Sequence, residues 1–156
     1  MKVLREVFES LNFSGVATLL ASGNVVFETK AKDIRTLEKR IERRLRDTLG
    51  YQVPVFIRTD SELKAIGALQ PFGRSKLDGA GVNIIFLADN LDARSKATTM
   101  ALSSKTDEFL IRGREIYWWR RRRRGTSLTV PLEKALREPF TIRSTNTIRK
   151  LVAKFP

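Results

Sequence analysis

The spacing of apolar residues changes period along this chain, and that alternation limits what it can fold into. Ile34, Leu37, Ile41, Leu45 and Leu49 recur every three or four positions. A helix gathers such residues on one face. Asp33 stands where a cap belongs and Gly50 where a helix stops. Residues 82–87 instead form a short, mostly apolar run that reads as a buried strand. Helical and extended periods therefore share one chain, and the expected class is α+β.

The other segments follow the same two periods. Val3, Leu4, Val7, Phe8 and Leu11 mark a first amphipathic helix ending near Asn12 and Gly15. Residues 16–20 and 25–27 read as strand, and Ser22-Gly23-Asn24 between them is either a hairpin turn or a bulge. Residues 53–57 read as a short strand, with Pro54 placing it at a strand start or a sheet edge. Thr59-Asp60-Ser61-Glu62 matches a capping box for a helix through Leu69, and a loop covers 71–81. Further on come a helix at 93–102, strands at 108–112 and 114–119 joined at Gly113, and a short helix at 131–137. Ile148, Leu151, Val152 and Phe155 mark a final amphipathic helix.

Composition removes several chemistries. The 156 residues include no cysteine and no histidine. Disulfides, thiol nucleophiles, Ser-His-Asp and Cys-His catalysis, and ordinary zinc sites are excluded. Asp78, Asp89, Asp92, Asp107 and Glu108 show no metal-ligand spacing, and Gly73-Arg74-Ser75-Lys76 lacks the order of a phosphate loop. No catalytic residue, metal or cofactor is expected. No stretch reaches the ~18 apolar residues of a membrane span, and Met1 to Glu6 lacks the apolar core of a signal peptide, so a cytoplasmic location is expected.

Charge is the strongest functional signal. Thirty Lys and Arg face 17 Asp and Glu, a net charge of +13. Such a balance favours polyanionic partners, nucleic acid first and an anionic membrane surface second. Residues 1–90 carry 14 basic and 11 acidic side chains, a net +3, while residues 91–156 carry 16 and 6, a net +10. The sharpest local feature is Trp118-Trp119 followed by Arg120, Arg121, Arg122, Arg123 and Arg124. Arginines neutralise phosphates and an exposed aromatic stacks on bases. On a strand the two Trp point to opposite faces, so at most one stands beside the arginines. Arg149 and Lys150 of the last helix are candidate helpers. The competing reading is a solvated loop and a solvated helix face.

Two polar segments form a second candidate. Ser22 and Asn24 flank a conformationally free Gly23, and Arg143 and Asn146 precede the last helix, whose first N–H groups can hold an anion. Together Ser22, Asn24, Arg143 and Asn146 can line a small-ligand pocket. Ordinary turn and cap residues have the same composition.

Several pieces, taken in order, resemble one family. They are Leu20-Ala21-Ser22-Gly23-Asn24-Val25-Val26-Phe27, Val53-Pro54-Val55 with Arg58-Thr59, Pro71-Phe72, Gly113-Arg114-Glu115-Ile116-Tyr117, Leu132-Glu133-Lys134-Ala135-Leu136, and the segment from Arg143 to Leu151. The chain resembles the bacterial family catalogued as domain of unknown function 1697. The resemblance implies an α+β fold built partly on a ferredoxin-like βαβ sheet, and it implies no reaction. Family members usually open with a strand and a turn, Arg-Gly-Ile-Asn-Val-Gly-Gly, which this sequence lacks, and tend to have Trp where Thr145 stands. An arginine run is not a feature of the resemblance.

These readings set the expectations. Residues 1–90 form a ferredoxin-like portion without its first strand, with helices on one face. Residues 91–156 form a basic, small α/β lobe packed as one unit with it. The absent strand implies a truncated or misassigned start, or a slot filled by another segment or chain, which points to a homodimer. The favoured function is non-enzymatic polyanion binding by the C-terminal lobe. The alternatives are a small-ligand or phosphometabolite enzyme and a structural or interaction module.

Overall fold

The computed structural model describes residues 1–19, 23–73, 81–121 and 128–155. They form an α+β protein with two compact units, Met1–Ile57 and Arg58–Pro156.

The first unit contains α1 (Lys2–Ser10), β1 (Ser14–Leu19), β2 (Asn24–Glu28) and α2 (Ile34–Leu49). The apolar stripe of α1 buries Val7 and Phe8. Asn12 then takes φ 65°, a left-handed value that asparagine tolerates better than most residues, and the chain reverses into β1. β1 and β2 pair antiparallel with Leu19 opposite Asn24, so the interruption between them is a hairpin. Helix α2 starts where Asp33 Oδ1 accepts the Thr36 N–H (3.2 Å) and stops at Gly50, whose φ of 81° suits glycine. Its stripe buries Leu37, Ile41 and Leu45 against Val7, Phe8, Leu11, Phe13 and Val16. Each such side chain contributes about 1.5–3 kcal/mol of hydrophobic stabilisation.

Residues 53–57 differ from the expected strand. They join no ladder, and β2 pairs with β1 alone among the described residues. Their period of two is nevertheless real, because Val53, Val55 and Ile57 pack against the same core. The Val55 N–H donates to Glu42 Oε1 of α2 (2.9 Å) rather than to a strand carbonyl.

The second unit contains α3 (Asp60–Ala68), β3 (Gly81–Leu87), α4 (Ala93–Met100), β4 (Asp107–Arg112), β5 (Glu115–Arg120), α5 (Thr129–Leu136), β6 (Phe140–Ser144) and α6 (Thr145–Val152). Its four strands form one antiparallel sheet in the order β4-β5-β3-β6. From β3 to β6 the chain runs βαββαβ, the ferredoxin-like connectivity. The complete ferredoxin-like order thus occupies residues 81–144, and the boundary falls between Ile57 and Arg58 rather than after residue 90. The cause is β3, which is hydrogen-bonded on both edges to strands from beyond residue 90.

Both faces of this sheet are covered. Ile85, Leu87, Ile116 and Trp118 form one cluster with Leu91, Phe109, Leu132 and Leu136, on the side of α4 and α5. Strand alternation sends Val82, Ile84, Phe86, Tyr117 and Trp119 to the opposite face, where they are also buried. There α6 packs on β3, β6 and α3. Double coverage explains why β3 and β5 read as continuous apolar runs.

Candidate anion-binding surface

The arginine run begins with Arg120, the last residue of β5. Trp118 and Trp119 point to opposite faces, as strand geometry requires, but both are buried, at 8% and 7% exposure. Trp119 is therefore no stacking platform for bases, because the helix-covered face of the sheet receives it. Trp118 donates its Nε1–H to Asp107 Oδ1 (2.8 Å) and stacks on Phe109 with 6.0 Å between ring centroids.

Arg120 is also turned inward. Its Nε lies 3.0 Å from Asp107 Oδ1 and its guanidinium 5.2 Å from the Trp118 ring. A charge paired this closely is a weak partner for an external phosphate. Arg121 is the first exposed member of the run, held by its backbone N–H to Thr106 O (2.8 Å). Arg122, Arg123 and Arg124 lie outside the described residues.

Helix α6 presents Arg149 and Lys150 to solvent while Ile148 and Leu151 face the core. Its cap is Ser144, whose Oγ accepts the Thr147 N–H (3.2 Å). Arg143 is half-buried, and burial lowers its guanidinium pKa from the ordinary value. It donates from Nη1 to Thr141 Oγ1 (2.6 Å) and Ile142 O (2.9 Å). Asn146 is exposed. In the first unit, Asn24 donates its amide to Leu19 O (3.0 Å) across the hairpin. Ser22 lies outside the described residues. Of the described pocket candidates, Asn24 belongs to one unit and Arg143 and Asn146 to the other.

One charged centre was not legible in the sequence. The Arg58 side chain, only 4% exposed, places its guanidinium 2.8 Å from Glu115 Oε2. Its Nη2 also donates to Leu87 O (2.8 Å) and Arg114 O (2.9 Å), and the group lies 5.3 Å from the Phe86 ring centroid. Burial lowers the Arg58 pKa and the Glu115 carboxylate opposes that shift. The same desolvation, with Glu115 beside it, pushes the Tyr117 hydroxyl up to about 12. This centre ties the start of α3 to the β4–β5 turn and the end of β3. Periodicity could not reveal it, since Arg58 and Glu115 are 57 residues apart.

The first unit has a groove of about 500 Å3 lined by Asn12, Ser14, Glu28, Lys30 and Arg40, among others. Arg40 donates there to Leu11 O (3.2 Å). Among the described residues no three acidic groups come together as a metal site, and no helix is long and apolar enough to cross a membrane.

The fold and these surfaces define a two-unit α+β protein whose second unit is a ferredoxin-like sheet with cations at its margins. It belongs to the family described as protein of unknown function (DUF1697), whose model matches residues 1–117. The chain is similar in fold to the solved structure of the conserved bacterial protein SP0830 from Streptococcus pneumoniae. The two are 22% identical with a TM-score of 0.75, over 98% of this chain and 87% of that one. No curated protein matches.

Proposed function

We propose that the protein binds nucleic acid as a polyanion, without catalysis, through the cationic surface of residues 58–156. The observation that carries this reading is the fate of the cations. This unit holds 20 basic and 10 acidic side chains, a net +10. The carboxylates Glu62, Asp107 and Glu115 pair with Arg114, Arg120 and Arg58. No carboxylate among the described residues pairs with Arg121, Arg149 or Lys150. Arg122 to Arg124 add three further positive charges by sequence.

The mode of contact follows from the buried tryptophans. With Trp118 and Trp119 inside the fold, binding rests on phosphate neutralisation rather than base stacking, and it is indifferent to sequence. Contacts from Arg121 to Arg124, Arg149 and Lys150 give a slope of log affinity against log salt near −5 on a duplex, at about 0.9 per contact. Fluorescence anisotropy with labelled single- and double-stranded oligonucleotides across a salt series tests this. Absence of binding at low salt, or a slope unchanged when Arg121 to Arg124 become Ser, eliminates the reading.

A further inference from the structure

We propose that α2 carries a second nucleic-acid surface, contacting the phosphate backbone of a duplex through Lys39, Arg43 and Arg44. The proposal goes beyond the C-terminal reading and stands on a different unit. At about 100° per residue, Leu37, Ile41 and Leu45 share the inward face of α2. Arg35, Lys39, Arg40, Arg43, Arg44 and Arg46 are all exposed on the rest of the helix. Asp47 is the only exposed acid among them.

Three of these six cations have internal partners. Arg35 lies 3.1 Å from Glu38 Oε2, Arg46 lies 3.7 Å from Asp47 Oδ1, and Arg40 donates to Leu11 O. No carboxylate among the described residues pairs with Lys39, Arg43 or Arg44. Lys39 and Arg43 are four residues apart, as are Arg40 and Arg44, and like charges at that spacing oppose helix formation. An external polyanion relieves that repulsion, which Asp33 offsets only at Lys39.

The chemistry favours a phosphate polymer over the other anionic surfaces. The apolar face of α2 is buried in the unit's own core, with Ile41 at 0% exposure, so the helix has nothing to insert into a bilayer. Five of the six cations are arginine, whose planar fork fits two phosphate oxygens at once. The 16-residue helix is about 24 Å long. Along one duplex strand, with a phosphate about every 3.4 Å, that length faces roughly seven phosphates.

The test uses the full chain and a fluorescein-labelled 20-base-pair DNA duplex, with an RNA duplex as a second arm. The variant Lys39→Gln/Arg43→Gln/Arg44→Gln keeps good helix formers, and its salt slope is expected to be shallower by about 2 to 3. A control, Lys2→Gln/Lys30→Gln/Lys32→Gln, removes the same charge from exposed positions of the first unit off α2 and is expected to keep the wild-type slope. Loss in only one nucleic-acid arm identifies DNA or RNA as the ligand. Equal slopes for the α2 variant and wild type overturn the proposal. So does an equal fall in both variants, or a loss confined to phosphatidylserine vesicles or polyglutamate. The C-terminal reading is read out separately by the Arg121 to Arg124 variant. A measurement on the unaltered chain guards against misfolding of the variant. Bound duplex is expected to protect Lys39, but not Lys2, from acetylation, and equal reactivity of the two overturns the proposal.

Discussion

Arg120 and Asp107 face each other across the β4–β5 ladder, with Nε 3.0 Å from Oδ1. The pair holds the first arginine of the run inward. Asp107 accepts from Trp118 as well, so one carboxylate holds both the indole and the first arginine of the run. Replacing Asp107 by Asn keeps an acceptor for the indole but removes the carboxylate charge 3.0 Å from Arg120 Nε. The expected loss is about 1.5–3 kcal/mol, the range for hydrogen bonds to charged groups. Urea denaturation checks it, and an unchanged midpoint contradicts the assignment. In the same series Arg120→Ala is expected to alter oligonucleotide affinity less than Arg121→Ala.

Tyr117 gives a prediction in alkaline solution. The chain has two tyrosines, so Tyr51→Phe leaves Tyr117 as the only one. Its absorbance titration is expected to centre on about 12 rather than the ordinary 10.0. Because the folded value lies above the unfolded one, the neutral phenol favours the folded state. The contribution, about 3 kcal/mol, is complete below pH ~10 and disappears as pH rises through the folded value. A titration centred on 10.0 removes the desolvated site from consideration.

The Arg58–Glu115 pair predicts a larger effect. With Arg58 4% exposed, Glu115→Ala removes the carboxylate 2.8 Å from a buried guanidinium and is expected to cost about 3–5 kcal/mol. Chemical denaturation reads the loss. A change below about 1 kcal/mol shows that the pair is solvated like a surface ion pair.

Glu42 stands in for a missing ladder partner of residues 53–57. Glu42→Ala is expected to remove hydrogen-exchange protection at the Val55 amide and leave the Ile41 and Leu45 amides of α2 unchanged. The expected loss of stability is about 1–2 kcal/mol. Unaltered exchange at Val55 means that its protection has another source.

Thr59 tests a local motif. Its Oγ1 accepts the Glu62 N–H (3.2 Å) while the Glu62 carboxylate accepts the Thr59 N–H (2.8 Å). Thr59→Ala is expected to lower stability by about 1 kcal/mol, and Thr59→Ser to restore most of it. Equal melting midpoints for all three chains would show that the box is formed but energetically silent.

The sequence by itself determined what depends on neighbours along the chain. The stripe, cap and stop of α2, the capping box of α3 and the opposed tryptophans of β5 were all legible, because each needs only residues a few positions apart. Phe140 and Ile142 also alternate with polar neighbours, yet β6 was not read as a strand. Five residues of alternation carry little signal until β3 supplies a hydrogen-bonded partner. Residues 53–57 have the same period of two, yet they belong to neither sheet among the described residues.

Only the tertiary structure decided pairing and neutralisation. It drew the unit boundary at Ile57, because ladder bonds to β3 come from beyond residue 90. It also sorted the arginines. Composition counts Arg58, Arg120 and Arg121 alike, but Glu115 and Asp107 reach the first two from distant or cross-strand positions and leave Arg121 in solvent. Net charge is a sum over residues, whereas an available charge depends on what the fold places within about 4 Å of it.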